Sequence, residues 1–116
     1  MLIYLLAFFI LVMAGGAAFA LLERRGRALP LKFSVSHGVA GVLAIGLLLL
    51  QALAHPGNYP VNLSIVVFMI AALGGLLLFA FRASRQTLPL GVVLLHAGIA
   101  VVGLVFLAVG CLRVSG

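Results

Sequence analysis

The sequence predicts an all-α integral membrane protein, a four-helix bundle built from two duplicated helical hairpins. Three observations carry this prediction. Of the 116 residues, 66% are hydrophobic and only 7% are charged, whereas a soluble domain is about one-quarter charged. The apolar residues fall into four long runs. The second half of the chain also repeats the first, at the offset that separates His37 from His96.

The four apolar runs cover residues 2–22, 31–54, 61–81 and 88–112. Each approaches or exceeds the roughly 20 residues that a helix needs to cross the hydrocarbon core. Backbone groups in lipid must be hydrogen-bonded within their own segment, so each run is predicted to be a transmembrane helix. The first run is too long for a signal peptide and lacks a basic segment before it, so we expect it to be retained. Short connections make successive helices antiparallel, within a single membrane domain.

The basic residues predict the orientation of the bundle. The formal net charge is +6, and six of the seven Lys and Arg residues flank the first and third loops. These are Arg24, Arg25, Arg27, Lys32, Arg82 and Arg85. The positive-inside rule makes this end cytoplasmic and places both termini outside. Orientation and contact with phospholipid account for these charges, so we predict the lipid bilayer and no nucleic acid as a partner.

The internal repeat aligns scarce residues as well as abundant leucines. Gly15-Gly16 matches Gly74-Gly75, Phe9 matches Phe68, Leu29-Pro30-Leu31 matches Leu88-Pro89-Leu90, and His37 matches His96. Because the period covers two membrane crossings, the halves keep the same orientation and are related by a pseudo-twofold axis along the membrane normal. The two prolines are expected to open the second and fourth helices.

The repeat also predicts a shared site for the two histidines. His37 and His96 each lie about two turns into their helices, on the order of 10 Å from the cytoplasmic edge. The glycine pairs lie at the same depth on the other two helices. Small residues follow each histidine on its helix face: Gly41 and Ala44 after His37, and Ala100 and Gly103 after His96.

This pattern points to a single haem b, with His37 and His96 as axial ligands of the iron. The predicted haem slot consists of Gly15, Gly16, Gly41, Ala44, Gly74, Gly75, Ala100 and Gly103. The residues predicted on the propionate side are Ser34, Ser36, Arg24, Arg25, Arg27, Lys32 and Arg85. The cations would pair with the propionates, and the serines would bond a propionate or orient the imidazole of His37.

The architecture resembles the small four-helix b-type cytochromes of bacterial inner membranes, with "SHGVAG" (36–41) and "LLHAGIA" (94–100) in place of their haem-binding helices. "LLHAGIAVVG" is also similar to the haem-ligand helix of succinate dehydrogenase anchor subunits. The resemblance implies a location in a bacterial inner membrane, haem b held by His37 and His96, and electron exchange with quinone or a redox partner protein. Many such cytochromes carry four histidines and two haems, whereas this chain has one deep pair and supports one haem.

Other interpretations stay open at this stage. Both deep histidines could be packing groups in a haem-free accessory or assembly subunit of a larger membrane complex, or in a homo-oligomer. A small multidrug or ion transporter would need a charged or polar residue within the membrane, whereas the only acidic side chain, Glu23, lies at a helix end among arginines. The single cysteine, Cys111, excludes a cysteine-ligated cluster. The sequence shows no motif of catalytic residues, so we do not expect an enzyme that acts on its own. His55, beside Pro56, is expected at the far interface.

Overall fold

The computed structural model describes residues 1–27 and 29–115 and confirms an all-helical fold. The helices are α1 (Leu2–Arg24), α2 (Leu31–Ala54), α3 (Tyr59–Ala83) and α4 (Leu90–Ser115). No strand occurs within the two described ranges. All four helices are long and apolar enough to cross a membrane, so the chain is a multi-pass membrane protein.

The helix ends differ from the apolar runs for local reasons. α3 begins at Tyr59, before its run, because the Asn58 side chain accepts a hydrogen bond from the backbone N–H of Val61 and caps the helix. α4 begins at Leu90 and not at the predicted Leu88, because a proline disfavours helical backbone in the residue before it. Hydropathy locates the membrane span, and capping chemistry sets the helix end.

The helices form a square in which each packs against two neighbours, in the cyclic order α1, α2, α3, α4. α3 and α4 approach each other most closely. Their contact includes Gly110, whose missing side chain leaves room for Val61, and a hydrogen bond of 3.0 Å that Asn58 Nδ2 donates to the Gly110 carbonyl. The diagonal pairs, α1 with α3 and α2 with α4, meet only through side chains at the centre.

The turns that end α1 and α3 repeat each other in backbone detail. Gly26 and Arg85, which are equivalent in the repeat, both have positive φ, +85° and +57°. In each turn the next residue donates its N–H to a carbonyl five positions earlier, Arg27 to Leu22 and Gln86 to Phe81. This is the hydrogen-bond pattern of a Schellman helix end, and its recurrence shows that the two turns share one backbone conformation.

Pairs of equivalent residues meet across the bundle and mark the pseudo-twofold axis. They are Phe9 with Phe68, His37 with His96, and Glu23 with Arg82. The phenylalanine rings are stacked with centroids 4.1 Å apart, and Glu23 and Arg82 form an ion pair at the end that carries the basic loops. A residue can touch its own repeat equivalent only on the axis. The axis therefore passes through the histidine pair.

The ion pair between Glu23 and Arg82 should stabilise the bundle modestly. Both side chains are largely buried but lie at the helix ends, so we expect Glu23→Gln or Arg82→Gln to lower the free energy of unfolding by about 1 kcal/mol. The double variant Glu23→Arg with Arg82→Glu should recover most of that loss. Reversible unfolding in mixed micelles measures it, with Arg85→Gln as the exposed control. A swapped pair no more stable than the single variants would contradict this role.

Candidate functional site

His37 of α2 and His96 of α4 face each other across the axis. Their ring centroids are 6.5 Å apart and their planes are nearly perpendicular, at 84°. Both side chains are half-buried. The structure thus brings together the two histidines that the repeat placed at one depth, near the N-terminal ends of their helices.

The glycine pairs of α1 and α3 make room for the imidazoles. A Cβ added at Gly16 would lie 2.6 Å from Cε1 of His37, and one at Gly75 would lie 3.2 Å from Cε1 of His96. Gly74 also borders His96, at 3.5 Å from its Cβ, whereas a Cβ at Gly15 would meet nothing within 4 Å. Three of the four glycines therefore contact a histidine side chain directly, each on the helix that precedes that histidine in its own hairpin.

One ring nitrogen of each histidine is held by backbone. Nδ1 of His96 lies 2.7 Å from the carbonyl oxygen of Ala71 on α3. A carbonyl only accepts, so Nδ1 carries the proton and Nε2 keeps its lone pair in the neutral ring. His37 forms a hydrogen bond with the backbone of Val12 on α1, the repeat equivalent of Ala71. Each ring is thereby oriented by the first helix of its own hairpin, as metal-bound imidazoles commonly are.

The surroundings of the two imidazoles differ in their aromatic contacts. Phe19 lies edge-on to His37, with ring centroids 6.4 Å apart, and Phe33 lies 5.4 Å from Phe19. Their repeat equivalents, Leu78 and Val92, are aliphatic. Sequence reasoning missed this aromatic cluster. Its signal would have been the positions at which the repeat breaks from aromatic to aliphatic.

The helix faces of small residues that follow His37 on α2 and His96 on α4 differ in the space in front of them. A Cβ at Gly103 would lie 2.9 Å from the ring of Phe68, so this ring fills the face beyond His96. A Cβ at Gly41 would meet nothing within 4 Å. Of the other two residues predicted in the slot, Ala44 is fully buried and Ala100 half-buried. The predicted slot is therefore open at Gly41, whereas Ala44 is covered and Phe68 closes the face at Gly103.

The predicted propionate-side residues gather at the end of the bundle nearer the histidines. The exposed cations there are Arg24, Arg25, Arg27, Lys32 and Arg85. Ser36 Oγ donates to the Lys32 carbonyl at 2.8 Å, so it bonds its own helix and not His37. Ser34 is half-buried. His55 is exposed at the opposite end, as expected, with Nδ1 3.2 Å from Gln51 Nε2.

The two imidazoles are about as far apart as two nitrogen ligands of one metal would be. Bonds from a first-row metal to imidazole nitrogen are about 2 Å long, and the ring centre lies roughly 1 Å beyond the nitrogen. Two imidazoles on opposite sides of one metal therefore have centroids about 6 Å apart, close to the 6.5 Å between His37 and His96. A macrocycle extending beyond the histidines has open space at Gly41, and would require Phe68 to leave Gly103.

Two neutral imidazoles with oriented rings and available nitrogens can bind a metal or a metal macrocycle, or can exchange a proton. In the part of the chain that the structure describes, no group of three or more His, Cys, Asp or Glu side chains could hold a bare metal ion. Comparisons with models of known protein families, with curated protein sequences and with solved structures gave no match. Function is therefore inferred from the residues of the site.

Proposed function

We propose that the protein binds one haem b between His37 and His96 and serves as an electron carrier of the bacterial inner membrane, or as a haem-bearing subunit of a respiratory-type complex. The observation that carries the proposal is the pair of imidazoles on the axis, with centroids 6.5 Å apart. Haem b, when bound, supplies one-electron exchange at its iron. Because both axial positions would be taken by protein, the site favours electron transfer over oxygen binding.

The residues of the chain orient the two imidazoles, surround them with apolar side chains and place positive charge at the near end of the bundle. The backbone interactions of His96 with Ala71 and of His37 with Val12 fix the ring planes. The apolar bundle keeps water from the ring pair, which tunes the reduction potential of a bound metal. The exposed cations at the near end offer charge partners to carboxylates. With that end cytoplasmic, quinone or an electron-transfer protein is the expected partner class.

An optical spectrum of the protein purified in mild detergent tests the proposal. We expect a sharp Soret band that shifts on reduction with dithionite, and the split visible bands of a low-spin bis-histidine haem. Protein that is purified without haem should bind one equivalent of added hemin and acquire the same bands. A preparation that stays colourless in the presence of hemin would overturn the proposal.

A haem-free subunit of a larger membrane complex is the second candidate, favoured by a different observation. Gly16 and Gly75 already pack against the imidazoles, and the Phe68 ring already fills the face at Gly103. In this alternative each histidine joins the two helices of its own hairpin through its hydrogen bond and has no ligand. Such a protein would fail the hemin test and should co-purify with partner subunits.

Gly41→Leu tests the direction in which the macrocycle extends. A Cβ at this position meets nothing within 4 Å, so leucine should fill the open face beside His37 without disturbing helix packing. We expect the affinity for hemin to fall at least tenfold, as measured by absorbance titration. Gly46→Leu is the matched control, because Gly46 is an exposed glycine of the same helix with equally open surroundings. Equal affinities for the two variants would exclude a macrocycle on this face.

A further inference from the structure

The end of the bundle opposite the basic loops contains a cavity of about 540 Å³. It opens among the first residues of α1, the last turns of α2 and α4, and the loop between α2 and α3. Its polar lining comprises Gln51, His55, Asn58 and Arg113. Since Gln51 lies fourteen residues beyond His37 on α2, the cavity is about 21 Å along the helix from the histidine pair. The cavity is therefore separate from the proposed haem site.

An apolar groove of about 370 Å³ adjoins this cavity between α2 and α3. Ala52 and Pro56 line both spaces, so the groove borders the polar cavity directly. The side chains of Leu49, Leu53 and Ile65 supply most of the remaining groove wall. Together the two spaces offer a polar chamber with an apolar extension toward the lipid, which matches an amphiphile with one head and at least one chain.

The hydrogen-bonding groups of the cavity select an anionic head. Gln51 Nε2 donates to Nδ1 of His55, so the neutral imidazole carries its proton on Nε2 and can donate from there. The amide of Asn58 is already used by the Val61 N–H and the Gly110 carbonyl. One N–H of the Gln51 amide and one of the Asn58 amide remain, but the strongest donors to an anion are the guanidinium of Arg113 and the imidazole N–H of His55. Glu23, the only acidic side chain in the sequence, lies at the opposite end and pairs with Arg82.

We propose that this cavity and groove bind one phospholipid with an anionic headgroup, its phosphate against Arg113 and His55 and an acyl chain along the groove between α2 and α3. Guanidinium and imidazole N–H groups are strong donors to phosphate oxygens. A quinone head offers only neutral carbonyls and leaves the cation without a counter-charge.

The two tyrosines allow binding at this end to be observed separately. Tyr4 and Tyr59 both lie near the cavity end, and the sequence has no tryptophan, so intrinsic fluorescence reports on lipid there and not at the basic loops. In phosphatidylcholine vesicles containing a small fraction of lipid with brominated chains, we expect brominated phosphatidylglycerol to quench more strongly than brominated phosphatidylcholine. One favourable cation at the membrane surface corresponds to about a fivefold preference.

Substitutions at Arg113 test whether its guanidinium causes the preference for the anionic lipid. Arg113→Gln should abolish the preference for phosphatidylglycerol, Arg113→Lys should keep most of it, and Arg85→Gln, an exposed arginine at the other end, should leave it unchanged. Equal quenching by the two brominated lipids in the unmodified protein would overturn the proposal. A preference that survives Arg113→Gln, or one lost equally in Arg85→Gln, would overturn it as well.

Discussion

Replacing either His37 or His96 with alanine is expected to abolish haem binding, with the affinity for hemin falling at least a hundredfold. Each imidazole supplies one of the two axial bonds, and removal of a residue that merely orients a ligand already costs 10- to 100-fold. Absorbance titration with hemin in detergent measures the loss. Any haem that remains should lose its low-spin bands. Adding free imidazole, which fits the space vacated by the side chain, should restore those bands.

His55→Ala is the matched control for these variants. His55 is exposed at the far end of the bundle, so its removal should leave the spectrum and the hemin affinity unchanged. Full haem occupancy in both deep variants would show that the ligands lie elsewhere. If the protein instead binds no haem, His37→Ala and His96→Ala should alter only stability, by about 1–3 kcal/mol for a lost hydrogen bond and a small cavity.

The sequence predicted the arrangement of the helices because two independent constraints agree. Hydropathy identifies each span, since lipid admits no unsatisfied backbone, and the repeat relates the spans by a twofold axis. Scarce residues then indicate what lies on the axis. The match of His37 with His96 in register predicted their meeting, and Phe9 with Phe68 follows the same rule although these rings were not predicted to stack.

The repeat could also have predicted the pairing of Glu23 with Arg82, which are equivalent positions on the axis. A homodimer of the first hairpin would place two carboxylates there, and a homodimer of the second would place two guanidinium groups. Like charges at that distance repel, whereas the joined hairpins place opposite charges together. Divergence between the halves therefore favours the fused arrangement over pairing of identical hairpins.

The contents of the site could not be derived from the sequence. A glycine in a membrane helix indicates that some group approaches closely, but not whether that group is an imidazole or a cofactor. The sequence placed Gly16 and Gly75 beside a haem, whereas the structure places them against the histidine rings. The backbone of Val12 and Ala71, which holds those rings, has no sequence signal at all, because every residue carries a carbonyl.

Gly16→Ala should be the most damaging small substitution on α1, and its neighbour Gly15→Ala should be harmless. A methyl group at Gly16 would lie 2.6 Å from Cε1 of His37. That ring is rigid and is held by the backbone of Val12, so relief requires movement of a helix or loss of the hydrogen bond. Overpacking of this kind costs about 1–3 kcal/mol. A methyl group at Gly15 meets open space, so this variant should gain up to about 1 kcal/mol from helix propensity.

The free energies of unfolding in mixed micelles should therefore rank Gly15→Ala above the unmodified protein and Gly16→Ala below it, with a gap of about 2 kcal/mol or more. Gly75→Ala should fall between them, because its methyl would lie 3.2 Å from the His96 ring and needs a smaller shift. Equal stability of the two α1 variants would mean that the His37 imidazole does not pack against Gly16. If His37 is an axial ligand, the movement that relieves the clash at Gly16 must also displace that ligand. Hemin affinity should then fall in Gly16→Ala and remain unchanged in Gly15→Ala. The free energy of unfolding and the hemin affinity would thus both depend on the position of the His37 ring.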